Sequence, residues 1–288
     1  MKKVLKELYT WLSLLFETFV SIFSVVLFSS FKTNRDFKKL RATRKENDIC
    51  RILCNGPSLA TYLEEQKHDA GDLLALNYFA TTEYYQKLKP SNYIILDTIE
   101  IGRADISEEQ KAIVLGLYNT IVNETQWPMT FFYPSSGIKD YADLLRKNNN
   151  ITVTIYNTTP ISGFQKLTHC LFRHSLGMPW PQNVSNAAVF CALNSGYKMI
   201  YLYGVDHSWM KSFDVHPETH RLYMNDGHFY EKENIRWFEK GAYLNWLKWT
   251  HRALLSHFEL REYADSINAK IINKTASSFI EAYAFEEN

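Results

Sequence analysis

Seven short apolar runs, at 51–54, 73–76, 93–96, 130–133, 151–156, 199–203 and 270–272, constrain this chain more than any other feature. Most of the intervals between them carry helical patterns long enough to cross back over a sheet, and near-continuous apolar runs suit strands covered on both faces. The expected class is therefore α/β, a mainly parallel sheet with helices on both sides. With 288 residues and 46% hydrophobic content, the chain can bury one large core. A single domain from about residue 47 to 288 is expected, preceded by an appendage over 1–46.

Two helices stand out. The segment 185–195 is expected as a short one, with Ser185 or Asn186 able to cap its start, small Ala187, Ala188, Cys191 and Ala192 facing the sheet, and Gly196 ending it. The segment 234–264 holds one long helix or two. Asn234 can cap it, and Phe238, Ala242, Trp246, Trp249 and Ala253 recur at the spacing of a buried stripe.

The appendage begins with an apolar run over 8–31, bracketed by Lys2, Lys3 and Lys6 on one side and by Lys32, Arg35, Lys38, Lys39, Arg41, Arg44 and Lys45 on the other. Its length suffices to cross a bilayer, with Glu17 costing about 2.5–3.5 kcal/mol on insertion scales. Thr10, Ser13, Glu17, Ser21 and Ser24 also recur at three- and four-residue intervals, which suits an in-plane amphipathic helix. Both readings attach the chain to a membrane, and no small-residue cleavage pattern favours a signal peptide. The denser basic cluster follows the run, so the expected location of the domain is the cytoplasmic face of the membrane. Residues 33–47 read as a polar linker.

A formal net charge of +1 gives no reason to expect nucleic acid as a partner. Cys50, Cys54, Cys170 and Cys191 lack paired zinc spacings and read as buried thiols; neither a disulfide nor a structural metal is expected.

In open parallel sheets, ligands bind beyond the carboxyl ends of the strands. Asn55, Asn77 and Asp97 end the first three runs, and Asp206, His207 and Ser208 follow Gly204 after the run 199–203. Asparagine offers both a donor and an acceptor to a base edge or ribose hydroxyl, and its bland alternative is an Asx-turn. In Asn55-Gly56-Pro57-Ser58, Gly56 permits close backbone approach and Pro57 suits a first helical turn, so the loop presents a helix start to an anion. The segment from 207 to about 232 has few regular apolar repeats but carries His207, His216, His220 and His228, with Tyr223, Asp226 and Tyr230 among them. It is expected to be a lid carrying a proton acceptor, with solvated loop histidines as the plain alternative for His216 and His220.

With these pieces in order, the chain resembles the bacterial sialyltransferases of glycosyltransferase family 42, and more loosely a wider Rossmann-like set that includes pterin pyrophosphokinases. The matching islands are Asn55-Gly56-Pro57-Ser58-Leu59, Asn77-Tyr78-Phe79, the stretch 196–206 ending Tyr203-Gly204-Val205-Asp206, and Phe279-Ile280-Glu281. The resemblance implies a Rossmann-like domain, a CMP-sugar donor and inverting transfer to a hydroxyl of a glycan or glycolipid in surface polysaccharide synthesis. It implies no cofactor or obligatory metal, and membrane attachment.

Carried over by position, Asn55, Gly56, Pro57, Ser58 and Asn77 would hold the donor, with Asp97, Ser185 and Asp206 beside them. His228 would take the acceptor proton, with His207 in reserve, and Ser208, Tyr223 or Tyr230 would supply further donors. His207-Ser208-Trp209 stands where the family has an aromatic pair whose tyrosine helps the leaving phosphate, so the sugar is left open. Two alternatives stand beside this reading: a metal-dependent pyrophosphokinase using Asp97, Asp206 and Asp226, and a non-catalytic membrane-tethered nucleotide-binding module. The acceptor and oligomeric state, a homo-oligomer included, are also left open.

Overall fold

A computed structural model describes residues 2–45, 48–65, 70–96, 107–225 and 235–285. Its central strands are β1 (Ile49–Leu53), β2 (Asp72–Leu76), β3 (Asn92–Ile94), β4 (Met129–Pro134), β5 (Ile151–Tyr156) and β6 (Met199–Tyr203). A separate antiparallel ribbon of β7 (Phe213–Val215), β8 (Leu222–Asn225) and β9 (Ile235–Trp237) follows, and β10 (Lys270–Asn273) and β11 (Ala284–Phe285) complete the main sheet. The order is β11-β10-β6-β1-β2-β3-β4-β5, and each described pairing in it is parallel. All seven apolar runs lie in this sheet.

The period-two alternation of a strand divides each run between two cores. Ile52, Leu74, Ile94, Phe132 and Leu202 enter one core; Leu53, Ala75, Tyr93, Phe131 and Tyr203 enter the other. The first core is covered by α2 (Lys32–Thr43), α7 (Gln165–Arg173), α8 (Val184–Asn194) and α9 (Ala242–Ser266) through Phe37, Phe172, Phe190 and Leu260. The second is covered by α3 (Leu59–Glu64), α4 (Tyr84–Leu88), α5 (Glu108–Glu124) and α6 (Lys139–Leu145) through Leu59, Tyr85, Ile121 and Leu145. An apolar helix, α1 (Lys2–Phe28), precedes them and is long enough to cross a membrane by length and composition.

The chain steps outward from β1 to β5 and then returns to the other side of β1 for β6. That reversal opens a crevice beyond the carboxyl ends of β1 and β6, where a ligand can enter between diverging loops.

Several local expectations change. The stretch read as a linker forms α2, because Thr33 and Phe37 recur four residues apart and bury one face of an otherwise charged helix. The long C-terminal helix starts at Ala242 rather than near Asn234: Ile235–Trp237 pair with β8, and Gly241 turns the chain at φ 86°. Its inward stripe is Trp246, Thr250, Ala253 and His257, with Trp249 left largely exposed. The cap of α8 is Asn183, whose side chain accepts from the Ser185 N–H, and Gly196 ends the helix at φ 97°. Cys50, Cys54 and Cys191 are buried, whereas Cys170 is exposed on α7, where Thr168 and Phe172 turn inward instead.

Candidate functional site

A cavity of about 410 Å3 occupies the crevice. The loop after β1 brings Asn55, Gly56 and Pro57 to it, the turn after β2 brings Asn77, and the loop after β6 brings Asp206, His207 and Ser208. Ser185 arrives from the first turn of α8. Eight nominated residues from four separate segments thus meet at one sheet edge. Asp97, Asp226, His228 and Tyr230 lie outside the described residues.

The β1 and β6 loops cross at van der Waals limits. The Gly56 N–H donates to the Gly204 carbonyl at 2.9 Å, and a Cβ on Gly56 would stand 2.1 Å from Asp206 Oδ2. Gly204, at φ +68°, has the same problem in reverse, since its Cβ would stand 2.3 Å from the Cys54 carbonyl oxygen. Both glycines are therefore demanded by the chain's own crossing. Ser58 does not line the cavity; its N–H and hydroxyl both donate to Asp206 Oδ2. The start of α3 accordingly meets a carboxylate from this chain where the sequence suggested a ligand anion.

Asn55 donates through Nδ2 to the Leu76 carbonyl at 3.1 Å, while its buried Oδ1 has no partner among the described residues. A buried acceptor without a donor is costly, and at a cavity wall it suits an N–H or O–H from a ligand. Asn77 holds a left-handed conformation at φ 44°, its Oδ1 accepting from the Leu96 N–H and its carbonyl from the Tyr93 hydroxyl. His207 is also left-handed, at φ 49° and ψ 31°. Non-glycine residues in that region cluster at sites where the surroundings hold them against strain.

His207 is almost fully buried, and loss of hydration lowers its pKa to about 4 against a smaller opposing hydrogen bond with the Val205 backbone. Asn183 Nδ2 lies 3.4 Å from His207 Nε2, an amide donor facing a ring nitrogen, so Nε2 is the acceptor of a neutral ring. Behind it stands His257, edge-on with ring centroids 5.5 Å apart. Its Nδ1 meets the Tyr283 hydroxyl at 2.8 Å and its Nε2 faces Ser185 Oγ at 3.4 Å. Burial, with His207 adding to it, keeps His257 well below the ordinary histidine pKa. The β6 loop, the α8 start, α9 and the C-terminal segment are joined through this group.

The lining also includes Trp209, whose ring centroid lies 5.1 Å from that of His207, together with Trp246 and Trp249, and Arg236 is the cationic lining residue among those described. Trp209 and Trp246 meet edge-to-face at 5.1 Å and share a small core with Met224 and Phe238, which ties the β7–β9 ribbon to α9. Met224 lines the cavity, so its strand neighbour Tyr223 turns away, against Trp237 and with its hydroxyl donating to Asp214. His216 stays at an exposed hairpin, where Nδ1 accepts from the Glu218 and Thr219 N–H groups. Among the described residues, no three His, Cys, Asp or Glu side chains gather as a metal site.

Sequence reading missed Asn183, His257, Tyr283 and Arg236. His257 had a signal: it falls four residues after Ala253 and seven after Thr250, on the inward stripe of α9. Arg236 had none, because its place depends on the pairing of β8 with β9. No family model matches the chain, and neither a curated protein nor a solved structure gives a significant match.

Proposed function

We propose that this chain is an inverting glycosyltransferase that moves a sugar from a nucleotide donor, of CMP-sugar type, to a hydroxyl of a membrane-associated glycan or glycolipid. The observation that carries the reading is the neutral, buried His207 set at the switch point of a parallel sheet, in a cavity shared with Arg236 and with Asn55 Oδ1, which has no partner among the described residues. In this reading, Asn55 and Asn77 take the base and ribose, as their mixed donor and acceptor chemistry allows. Arg236 and the capped start of α8 face the phosphate, where negative charge grows as the sugar–phosphate bond breaks. His207 Nε2 accepts the proton that the attacking hydroxyl releases, the hydroxyl displacing the 3.4 Å contact of Asn183 Nδ2 from the single Nε2 lone pair, and the hydrogen bond with the Val205 backbone holds the ring.

A pKa near 4 makes a weak base before the donor binds. The donor phosphate changes that, because a neighbouring anion favours the imidazolium and moves the pKa back toward neutrality. Base strength therefore arrives with the donor. The aromatic wall of Trp209, Trp246 and Trp249 offers apolar faces to a sugar ring or lipid-borne acceptor. The apolar α1 fits an acceptor held at a membrane, and the basic residues after it favour the cytoplasmic side.

Calorimetric titration with CMP, a CMP-sugar, UDP, and ATP with and without Mg2+ tests the reading. Binding of the cytidine ligands in preference to the others is the expected result. ATP binding that requires Mg2+, or equal indifference to all of them, would overturn it.

A further inference from the structure

The polar stripe of α1 turns toward the domain from Ser13 to Ser24, while Thr10 stays exposed and donates to the Lys6 carbonyl. Ser21 Oγ donates to the Ser162 carbonyl at 2.8 Å and accepts from the Ser162 N–H at 2.9 Å. One turn earlier, Thr18 Oγ1 accepts from the Phe164 N–H at 2.9 Å, and Trp11 lies against the Phe164 ring with centroids 6.1 Å apart. Beyond the helix end, Ser29 Oγ meets Thr159 Oγ1 and the Ser30 N–H donates to Asn157 Oδ1. Gly163, at φ +117°, lets the two backbones close up; a Cβ there would stand 2.7 Å from the Thr18 nitrogen. Glu17, on the same side, is near enough to Glu259 of α9 to act on its charge.

The opposite face carries Leu8, Leu12, Leu15, Phe19 and Val26 in one row, with Phe16 and Phe23 beside it, all exposed. At 1.5 Å per residue, the length from Trp11 to Phe28 is roughly 26 Å, close to the thickness of a bilayer's hydrocarbon core of about 30 Å. That whole length follows the domain. Were the docked part to cross, the irregular backbone of 157–164 would enter the lipid with it, where polar groups facing lipid go unsatisfied.

We infer that α1 is a monotopic anchor: it stays docked along the domain and lies in the plane of one leaflet of an anionic bilayer, its Leu8-to-Val26 row in the acyl region. Exposed lysines at both ends, Lys2, Lys3 and Lys6 before the row and Lys32, Lys38 and Lys39 after it, suit anionic headgroups along the length of a helix lying flat. The docked Thr18, Ser21 and Ser29 fix the orientation, because they turn the apolar arc away from the domain. This inference rests on the membrane association proposed above and adds its geometry.

The test uses the full chain in a Cys170→Ser background, with single nitroxide labels at Leu8→Cys, Leu12→Cys, Leu15→Cys, Phe19→Cys and Val26→Cys, bound to vesicles of phosphatidylcholine and phosphatidylglycerol. Expected is one shared depth of about 5–10 Å below the headgroups for all five. A depth ramp between Leu8 and Val26, approaching roughly 27 Å for an upright helix, would overturn the in-plane anchor while leaving membrane association standing. A second pair, Phe19→Cys with Lys166→Cys, should keep one narrow distance on vesicle binding; a lengthened or broad distance would also overturn it. Failure to float with vesicles, with or without dimerisation through α1, would remove the membrane altogether and leave nucleotide titration to judge the transferase reading separately.

Discussion

The Asp206 carboxylate accepts two hydrogen bonds from Ser58, one from the backbone N–H at 3.3 Å and one from the hydroxyl at 2.8 Å. It thereby fastens the loop after β6 to the loop after β1. The same oxygen fills the space where Gly56 lacks a Cβ. Gly56→Ala is expected to destabilise the fold by about 1–3 kcal/mol through overpacking, and Ser58→Ala by about 1.5–3 kcal/mol through loss of a bond to a charged acceptor. Urea denaturation of the two variants checks both values.

His207→Gln keeps a polar side chain of related shape without a titratable ring. In the transferase reading it should lower turnover by about 10²–10⁴ while donor affinity, measured by calorimetry, stays within a factor of a few. Unchanged turnover would take His207 out of the base role. The pH profiles carry a second signature: the acidic limb of kcat, which reports the donor-bound enzyme, should lie at higher pH than that of kcat/KM.

His207 and His257 also tie stability to pH. Both are held neutral by burial, His207 down to about pH 4, whereas the unfolded chain protonates near the ordinary histidine value of 6.5. Below about pH 6.5 the unfolded state therefore binds more protons than the folded state, and stability is lost as pH falls toward 4. The contribution of His207 over that range is roughly 3 kcal/mol. Denaturation midpoints at pH 7.5, 6 and 5 should fall in the wild type and fall less in His207→Gln.

Glu259 shows the opposite sign. Burial, with Glu262 and Glu17 nearby, raises its pKa to about 7, so the folded state resists ionisation and stability declines as pH rises from about 4.5 through 7. Its buried Oε2 has no partner among the described residues, which leaves the ionised form uncompensated there. Glu259→Gln should raise the melting temperature at pH 8 and change it little at pH 4. An equal effect at both pH values would show that packing, not charge, decides this position.

The residues that sequence could place are those whose role follows from a strand end. A run such as 199–203 is apolar because both faces are buried, and its following Gly204 and Asp206 must then emerge at the carboxyl edge. Asn55, Asn77 and Asp206 were legible for that reason, as were Ser185 and Gly196 at the two ends of α8. Tyr223 was not, because which side of a strand faces a cavity depends on register with its partners; one step along β8, Met224 occupies the wall instead.

The amino-acid sequence by itself determined the parallel sheet, the two-sided cover and the polar edge, since hydrophobic period and run length are local properties of the chain. Only tertiary structure decided that Asp206 answers Ser58, that His257 stands behind His207 between Ser185 and Tyr283, and that the serine stripe of α1 docks on 157–164. Each of these joins segments at least 70 residues apart in the chain, except His257–Tyr283 and the His207–His257 pair, which lie closer but on different elements. A side chain's partner at that range is chosen by how the helices settle on the sheet, and no periodicity in the sequence records it.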